Sequence, residues 1–347
     1  MPLYNKAPYV RKALESIVSQ TYHDFELIIV DDGSTDNSAT ICEEYLSTRY
    51  TLHITLYTLI RQANSGVAAA RNNGVAASHG EFLCFLDADD WWKPTFLEEM
   101  DKLIAEYPNA GIYVTNYIYY KPGKTHVALN LSRGYMDYPK AYLLSTAMPV
   151  WTGATCMPRH VFDEVGGFPV GIKLGEDFLL WAQTAVHYKV AFYEKPLAYY
   201  NNDVPASLRA TRNLHAPEHH MLFHLDSLEE ELRNLTVSPS NGETLDGRGK
   251  HLITGNPSEW KALLDKLRVS GLMDYWLSNE YHDAAAEELK KIDWSKQPRS
   301  AKAMYQKPIW YLRTKRRFMQ IGSYCKQKLI NMGMPLSALR AKYITKE

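Results

Sequence analysis

Two apolar runs in this chain end in clusters of carboxylates, and that arrangement limits the folds open to it. "FELIIVDD" spans Phe25 to Asp32, and "EFLCFLDADD" spans Glu81 to Asp90. Each run has the length of a strand buried on both faces. Helix-like stretches separate them: Ser38 to Arg49, and the Ala-rich Val67 to Ala77. A helix is expected from about Val10 to Gln20, with Pro8 tolerated in its first turn and Asn5 as its cap. Thr95 to Tyr107 reads as helix and "AGIYVTNYIYY" as a further strand. Strand and helix in alternation predict an α/β domain with a mostly parallel sheet flanked by helices. Ligands bind such sheets at the carboxyl ends of the strands. Asp31-Asp32 and Asp87-Asp89-Asp90 are therefore expected to meet in one crevice.

The start of the chain does not fit the alternation. Pro2-Leu3-Tyr4 reads as the exit of a strand with no strand before it. A missing first strand would expose the edge of its neighbour. The expectation is that the natural start lies upstream or that another segment fills the place. After Tyr120 the signals weaken. "GEDFLLWAQTAVHY" reads as a helix entered through the acidic pair Glu176-Asp177, and residues 191–200 read as a strand and its exit. From Ala216 onward the pattern is mainly helical, interrupted by a polar stretch over 237–251 that reads as a flexible linker. Three parts are expected: a catalytic domain over 1–205, a helical extension over 206–295, and a basic amphipathic tail over 296–347.

Composition removes several classes. No apolar run nears the ~18 residues that a membrane span needs. Cys42, Cys84, Cys156 and Cys325 form no C-x-x-C pair, which argues against a zinc site or a disulfide framework and fits a reducing cytoplasm. No secretory leader pattern is read. His215, His219, His220 and His224 share helix spacing, but without H-E-x-x-H they read as packing or solvated residues. The net charge is zero but split: residues 296–347 hold 13 Lys plus Arg against one acidic residue. An acidic body with a basic tail suggests an anionic partner for the tail. "KPIWYLRTKRRFMQIGSYCKQKLINMGM" mixes cations with Trp310, Phe318 and Ile321 in the manner of interfacial helices. Peripheral contact with a membrane is expected there, packing on the body is the alternative, and nucleic acid is not expected as a partner.

"LDADD" alone reads either as a turn with a helix cap or as a divalent metal site. The calcium-loop spacing is not satisfied. Mg2+ or Mn2+, held by few carboxylates and completed by substrate phosphates, fits better.

The combined motifs resolve the choice. "PLYNKAPYVRKALESIVSQTYHDFELIIVDDGSTD", "NSGVAAARNNGVAASHGEFLCFLDADD" and "GEDFLLW", in that order, resemble glycosyltransferase family 2, whose members have the GT-A fold and use nucleotide-sugars. The resemblance covers residues 2 to 205 and implies roles position by position. Pro2 and Tyr4 would line the nucleotide pocket. Asp32 would bond the base, and Asn64 and Arg71 would lie near the base and the sugar-diphosphate. Asp87 and Ala88 would belong to the donor site, with Asp89, and Asp87 beside it, as metal ligands for Mn2+ or Mg2+. Asp177 would be the general base, with Glu176 as its neighbour and rival. Trp151, Thr152, Gly153 and Trp181 would fall on the acceptor side. Trp91 and Trp92 are expected to pack beneath the site, and Asp90 to cap the following turn. The implied activity is transfer of one sugar, with inversion, to a glycan or lipid-linked glycan in cell-envelope or surface polysaccharide synthesis. A cytoplasmic site at the inner membrane face is implied. A catalytically silent module of the same fold and a nucleotidyltransferase are the alternatives. The sugar, the nucleotide and the oligomeric state are not encoded in the motifs.

Overall fold

The structure, a computed structural model, describes residues 1–49, 57–205, 214–236, 255–309 and 311–313. It divides into two compact units, Met1–Leu267 and Arg268–Glu347. The expected linker over 237–251 and most of the basic tail lie outside the described residues.

The first unit opens with alternating elements: β1 (Pro2–Leu3), α1 (Val10–Val18), β2 (Leu27–Asp31), α2 (Ser38–Arg49), β3 (Tyr57–Arg61) and α3 (Val67–Ala76). Then follow β4 (Phe82–Cys84), β5 (Trp91–Trp92), α4 (Phe96–Glu106), β6 (Ala110–Tyr120), β7 (His126–Val127) and β8 (Gly134–Met136). The remainder is α5 (Tyr138–Leu144), β9 (Thr155–Pro158), α6 (Arg159–Val165), α7 (Glu176–His187), β10 (Lys189–Asn201), α8 (Leu225–Thr236) and α9 (Pro257–Gly271). The α/β class and the helical C-terminal region are as expected.

The sheets show why the runs are apolar. β1, β2 and β3 pair in parallel, and every residue of β2 is buried. Ile28 and Val30 pack against Ala70 of α3, whose small side chains let helix and strand approach. The second sheet runs β4-β9-β6-β10-β5. It is mixed rather than mostly parallel: β9 lies antiparallel between β4 and β6, while β6 and β10 run parallel. Trp91 and Trp92 form β5 on the edge of β10. Both are buried, Trp92 stacking on Phe96 and Trp91 on Tyr199, so they pack as expected.

β1 pairs only with Val30 and Asp31, at the carboxyl end of β2. Leu27 and Ile28 line a cavity of about 460 Å³ together with Phe82, Leu83 and Cys84 of β4. The Met1 amino group donates to Ile28 O at 2.7 Å, and burial lowers its pKa to about 5.

Helical residues after β10 also belong to this unit. Trp260 of α9 is fully buried and stacks on Tyr138 of α5, with ring centroids 5.3 Å apart. The second unit contains α10 (Met273–Trp276), α11 (His282–Lys290) and α12 (Arg299–Tyr305). Its interior holds the buried Arg268–Glu288 pair, and the Tyr305 hydroxyl donates to Val269 O. No described helix is long and apolar enough to cross a membrane.

Candidate active site

The carboxylates at the ends of β2 and β4 are held in different ways. Asp32 is 3% exposed and gives both carboxylate oxygens to the loop that starts α3. Oδ1 accepts from Gln62 Nε2 (2.7 Å) and Ser65 N (2.8 Å), and Oδ2 accepts from Gly66 N (2.9 Å). Asn64 Nδ2 donates to the Asp32 carbonyl oxygen at 2.9 Å. Buried carboxylates are stable when backbone N–H groups satisfy them. Asp32 thus shapes the 62–66 loop, with Asn64 exposed on its outer side. Pro2 sits in β1, and Tyr4 follows at the exit with 47% of its surface exposed.

In the "LDADD" segment Asp87 and Asp89 each have a charge partner, and Asp90 bonds backbone. Asp87 Oδ1 accepts from Arg71 Nη2 at 2.8 Å. Burial opposes the charge on Asp87, but Arg71 outweighs it and keeps the carboxyl below its usual range. Asp89 Oδ2 lies 2.5 Å from Lys6 Nζ. Ala88 between them is 2% exposed and sits in a turn closed by Asp90 N donating to Asp87 O at 3.0 Å. Asp90 is buried, and it does not cap the following turn as expected. Its Oδ1 accepts from Asn201 N at 2.7 Å, tying the segment to the end of β10. Burial, and then the charges of Asp89 and Asp87, push the Asp90 carboxyl well above its usual range. Three crowded carboxylates are tolerated because one is paired with Arg71, one with Lys6, and one accepts the Asn201 backbone N–H.

Arg71 joins this cluster to α7. Its side chain is 3% exposed, and Nη1 reaches Glu176 Oε1 at 2.8 Å. Burial works against its charge, but Asp87 and Glu176 more than compensate, so the guanidinium is held charged. Arg71 Nε is buried with no hydrogen-bond partner, while the guanidinium carbon sits 5.0 Å from the Phe168 ring centre. Glu176 fares differently. Burial, then the neighbouring Asp177 charge, outweigh Arg71 and raise its pKa to about 7.

Asp177 stands in the first turn of α7, where the helix dipole favours an anion. Gly175 before it has φ 85°, and a β-carbon there would run into Met221. The Thr152 hydroxyl donates to Asp177 Oδ2 at 2.9 Å, and Trp181 Nε1 donates to Thr152 Oγ1 at 3.2 Å. Trp151, Gly153 and Trp181, expected on the acceptor side, are all buried. Trp151 packs on Tyr117 and Tyr200, and a β-carbon on Gly153 would overlap the Trp151 ring. Only Trp181 among them is linked to Asp177, through Thr152.

The structure therefore brings Arg71, Asp87, Glu176 and Asp177 into one cluster, with Asp89 two residues beyond Asp87. Asp32 and Asn64 organise the adjoining loop. Sequence reasoning missed three contributors. Lys6 and Asn5 lie inside the quoted "PLYNKAP" element; Gln62 precedes "NSG". The expected helix cap by Asn5 is not formed. α1 starts at Val10 with no side-chain cap, and Asn5 Oδ1 instead accepts from Thr35 N at 2.8 Å.

Asp87 and Asp89 supply hard oxygen donors of the kind Mg2+ and Mn2+ take. No group of three or more His, Cys, Asp or Glu suited to a metal occurs among the described residues. A divalent ion here fits only if oxygens from a ligand complete its shell, which is how Mg2+ usually sits with phosphates.

Known proteins resemble this chain. Residues 1–166 match the family model described as "Glycosyl transferase family 2". The glycosyltransferase GlyA of Streptococcus pneumoniae is 44% identical over 117 residues, 34% of this chain and 16% of that protein. The uncharacterized glycosyltransferase alr2836 of Nostoc is 32% identical over 213 residues, covering 57% of this chain and 62% of its own length. The chain thus spans only part of these relatives. TarS 1–349 of Staphylococcus aureus, solved in complex with UDP-GlcNAc, superposes with a TM-score of 0.59 at 16% identity. The match covers 87% of this chain and 81% of that one, and the likeness is one of fold.

Proposed function

Residues 1–166 belong to glycosyltransferase family 2, and from that premise we propose that the chain moves one sugar from a nucleoside-diphosphate sugar to a hydroxyl of a glycan or lipid-linked glycan. The observation that carries this reading is the Arg71 bridge, which sets the strand-end carboxylate Asp87 beside the α7 carboxylates Glu176 and Asp177. Asp89, and Asp87 beside it, would hold Mn2+ or Mg2+. The bound ion would offset the charge that builds on a departing diphosphate.

The chain's own residues divide the remaining work. Asp177 accepts the proton of the attacking hydroxyl, which typically contributes on the order of 10²–10⁴-fold. Thr152, held by Trp181, aims that carboxylate. Glu176 is bonded to Arg71, so it serves as a positioning residue rather than as the base. Arg71 keeps Asp87 ionised. Asp32 fixes the loop that carries Asn64, on the side where a nucleotide base would lie, with Pro2 and Tyr4 at the neighbouring strand exit. Direct in-line attack would invert the anomeric carbon.

Residues 1–205 would carry catalysis, 206–295 a helical extension, and 296–347 a basic tail that contacts an anionic membrane surface from the cytoplasmic side. Surface and envelope polysaccharide synthesis is the setting this suits. Metal-dependent release of nucleoside diphosphate from a sugar donor, lost in Asp177→Asn, tests the reading; release unaffected by that change would contradict it.

A further inference from the structure

We propose that Lys6 is a resident cation of the Asp89 carboxylate, and that a divalent ion binds there only by displacing it. The inference rests on reading Asp89 as a metal ligand. Lys6 Nζ stands 2.5 Å from Asp89 Oδ2, and the two side chains are 18% and 17% exposed. An ion pair this far out of water is stronger than a surface pair, because each charge has lost much of its hydration. An ammonium and a divalent ion cannot share one carboxylate oxygen without strong repulsion.

The backbone around Lys6 is built to hold it in place. Asn5 has φ 51°, the left-handed region that non-glycine residues rarely adopt, and is the sole such residue among those described. That turn is fixed from both sides. Asn5 N donates to Ser34 Oγ at 3.0 Å, and Asn5 Oδ1 accepts from Thr35 N. Lys6 N donates to Ser38 Oγ at 2.7 Å, and Ala7 N donates to Asp36 Oδ2 at 3.0 Å. Residues 5–7 are thus clamped onto the 34–38 loop, and the clamp carries the Lys6 side chain across to the end of β4. A lysine held merely for solubility needs no such anchoring.

The consequence is coupling. Without nucleotide, metal must compete with a tethered ammonium and binds weakly. A diphosphate brings negative charge that can receive the released ammonium while it completes the metal shell. Metal and nucleotide then enter as a pair.

Loss of the free Mn2+ resonance signal, measured with and without UDP on wild type, Lys6→Met, Lys6→Arg and Asp89→Asn, tests this. Lys6→Met should bind Mn2+ alone about fivefold to thirtyfold more tightly than wild type, as expected for removing a partly buried competitor. Its gain in affinity on adding UDP should shrink. Lys6→Arg, which keeps a cation at Asp89, should stay near wild type and reports on folding. Wild-type or weaker Mn2+ binding in Lys6→Met, with binding lost in Asp89→Asn, overturns the proposal alone. Undiminished binding in Asp89→Asn overturns the metal assignment as well.

Discussion

Arg71 and Glu176 stand 105 residues apart in sequence, yet Arg71 Nη1 lies 2.8 Å from Glu176 Oε1. With its other nitrogen on Asp87, the same guanidinium locks the end of β4 to the start of α7. Replacing Arg71 by Met leaves the buried Glu176 and the half-buried Asp87 without their cation. Removing one partner of such a pair costs about 3–5 kcal/mol. Urea unfolding of Arg71→Met should show a loss of that size, and Arg71→Lys should recover only part of it because an ammonium lacks the two-pronged fork.

Glu176 predicts a pH signature. Its pKa rises from an ordinary 4.5 to about 7 on folding. The folded state therefore holds a proton that the unfolded state has already released. The stability this proton confers is complete below about 4.5 and is lost as pH rises through about 7. Glu176→Gln should flatten the stability profile across that window, as read from thermal midpoints at stepped pH. A profile identical to wild type would contradict the assignment.

Thr152 tests how Asp177 is aimed. Thr152→Val removes the donor to Asp177 and strands the buried Trp181 Nε1, a loss of about 1–3 kcal/mol of stability. Turnover should drop about tenfold or more while donor binding by calorimetry is kept, since misplacing a catalytic group costs rate rather than ground-state affinity. Thr152→Ser should restore both.

Much of this was legible in the sequence, and the remainder has a common reason. β2 was readable because a strand covered on both faces is apolar at every position, and α3 because Ala68 and Ala70 must let it approach that strand. The Asp87–Asp89 spacing was readable because three close carboxylates demand partners. The partners themselves were not. Arg71, Lys6 and Asn201 reach this segment through contacts that no local period encodes. Asn5 resembled a helix cap, since asparagine suits both a cap and a left-handed turn. Trp91 and Trp92 showed their burial but not their pairing with β10, because strand partners are set by tertiary register. The antiparallel insertion of β9 between β4 and β6 was hidden for the same reason.

The basic segment from Lys296 onward carries a separate expectation. Each Lys or Arg near an anionic leaflet is worth about 1 kcal/mol. The chain through Glu347 should sediment with anionic liposomes, less so at high salt, and a chain ending at Ser295 should stay in the supernatant. Equal partitioning of the two would contradict a membrane role for this segment.

The central claim is transfer from a nucleoside-diphosphate sugar through the Asp89–Asp177 site. The most direct measurement is nucleoside-diphosphate release from a panel of UDP-, GDP- and TDP-sugars with Mn2+ or Mg2+, for wild type, Asp89→Asn and Asp177→Asn. The account predicts release from at least one donor, abolished in both variants, with Asp177→Asn still binding that donor by calorimetry. Metal-independent release, or full turnover in Asp177→Asn, would contradict it.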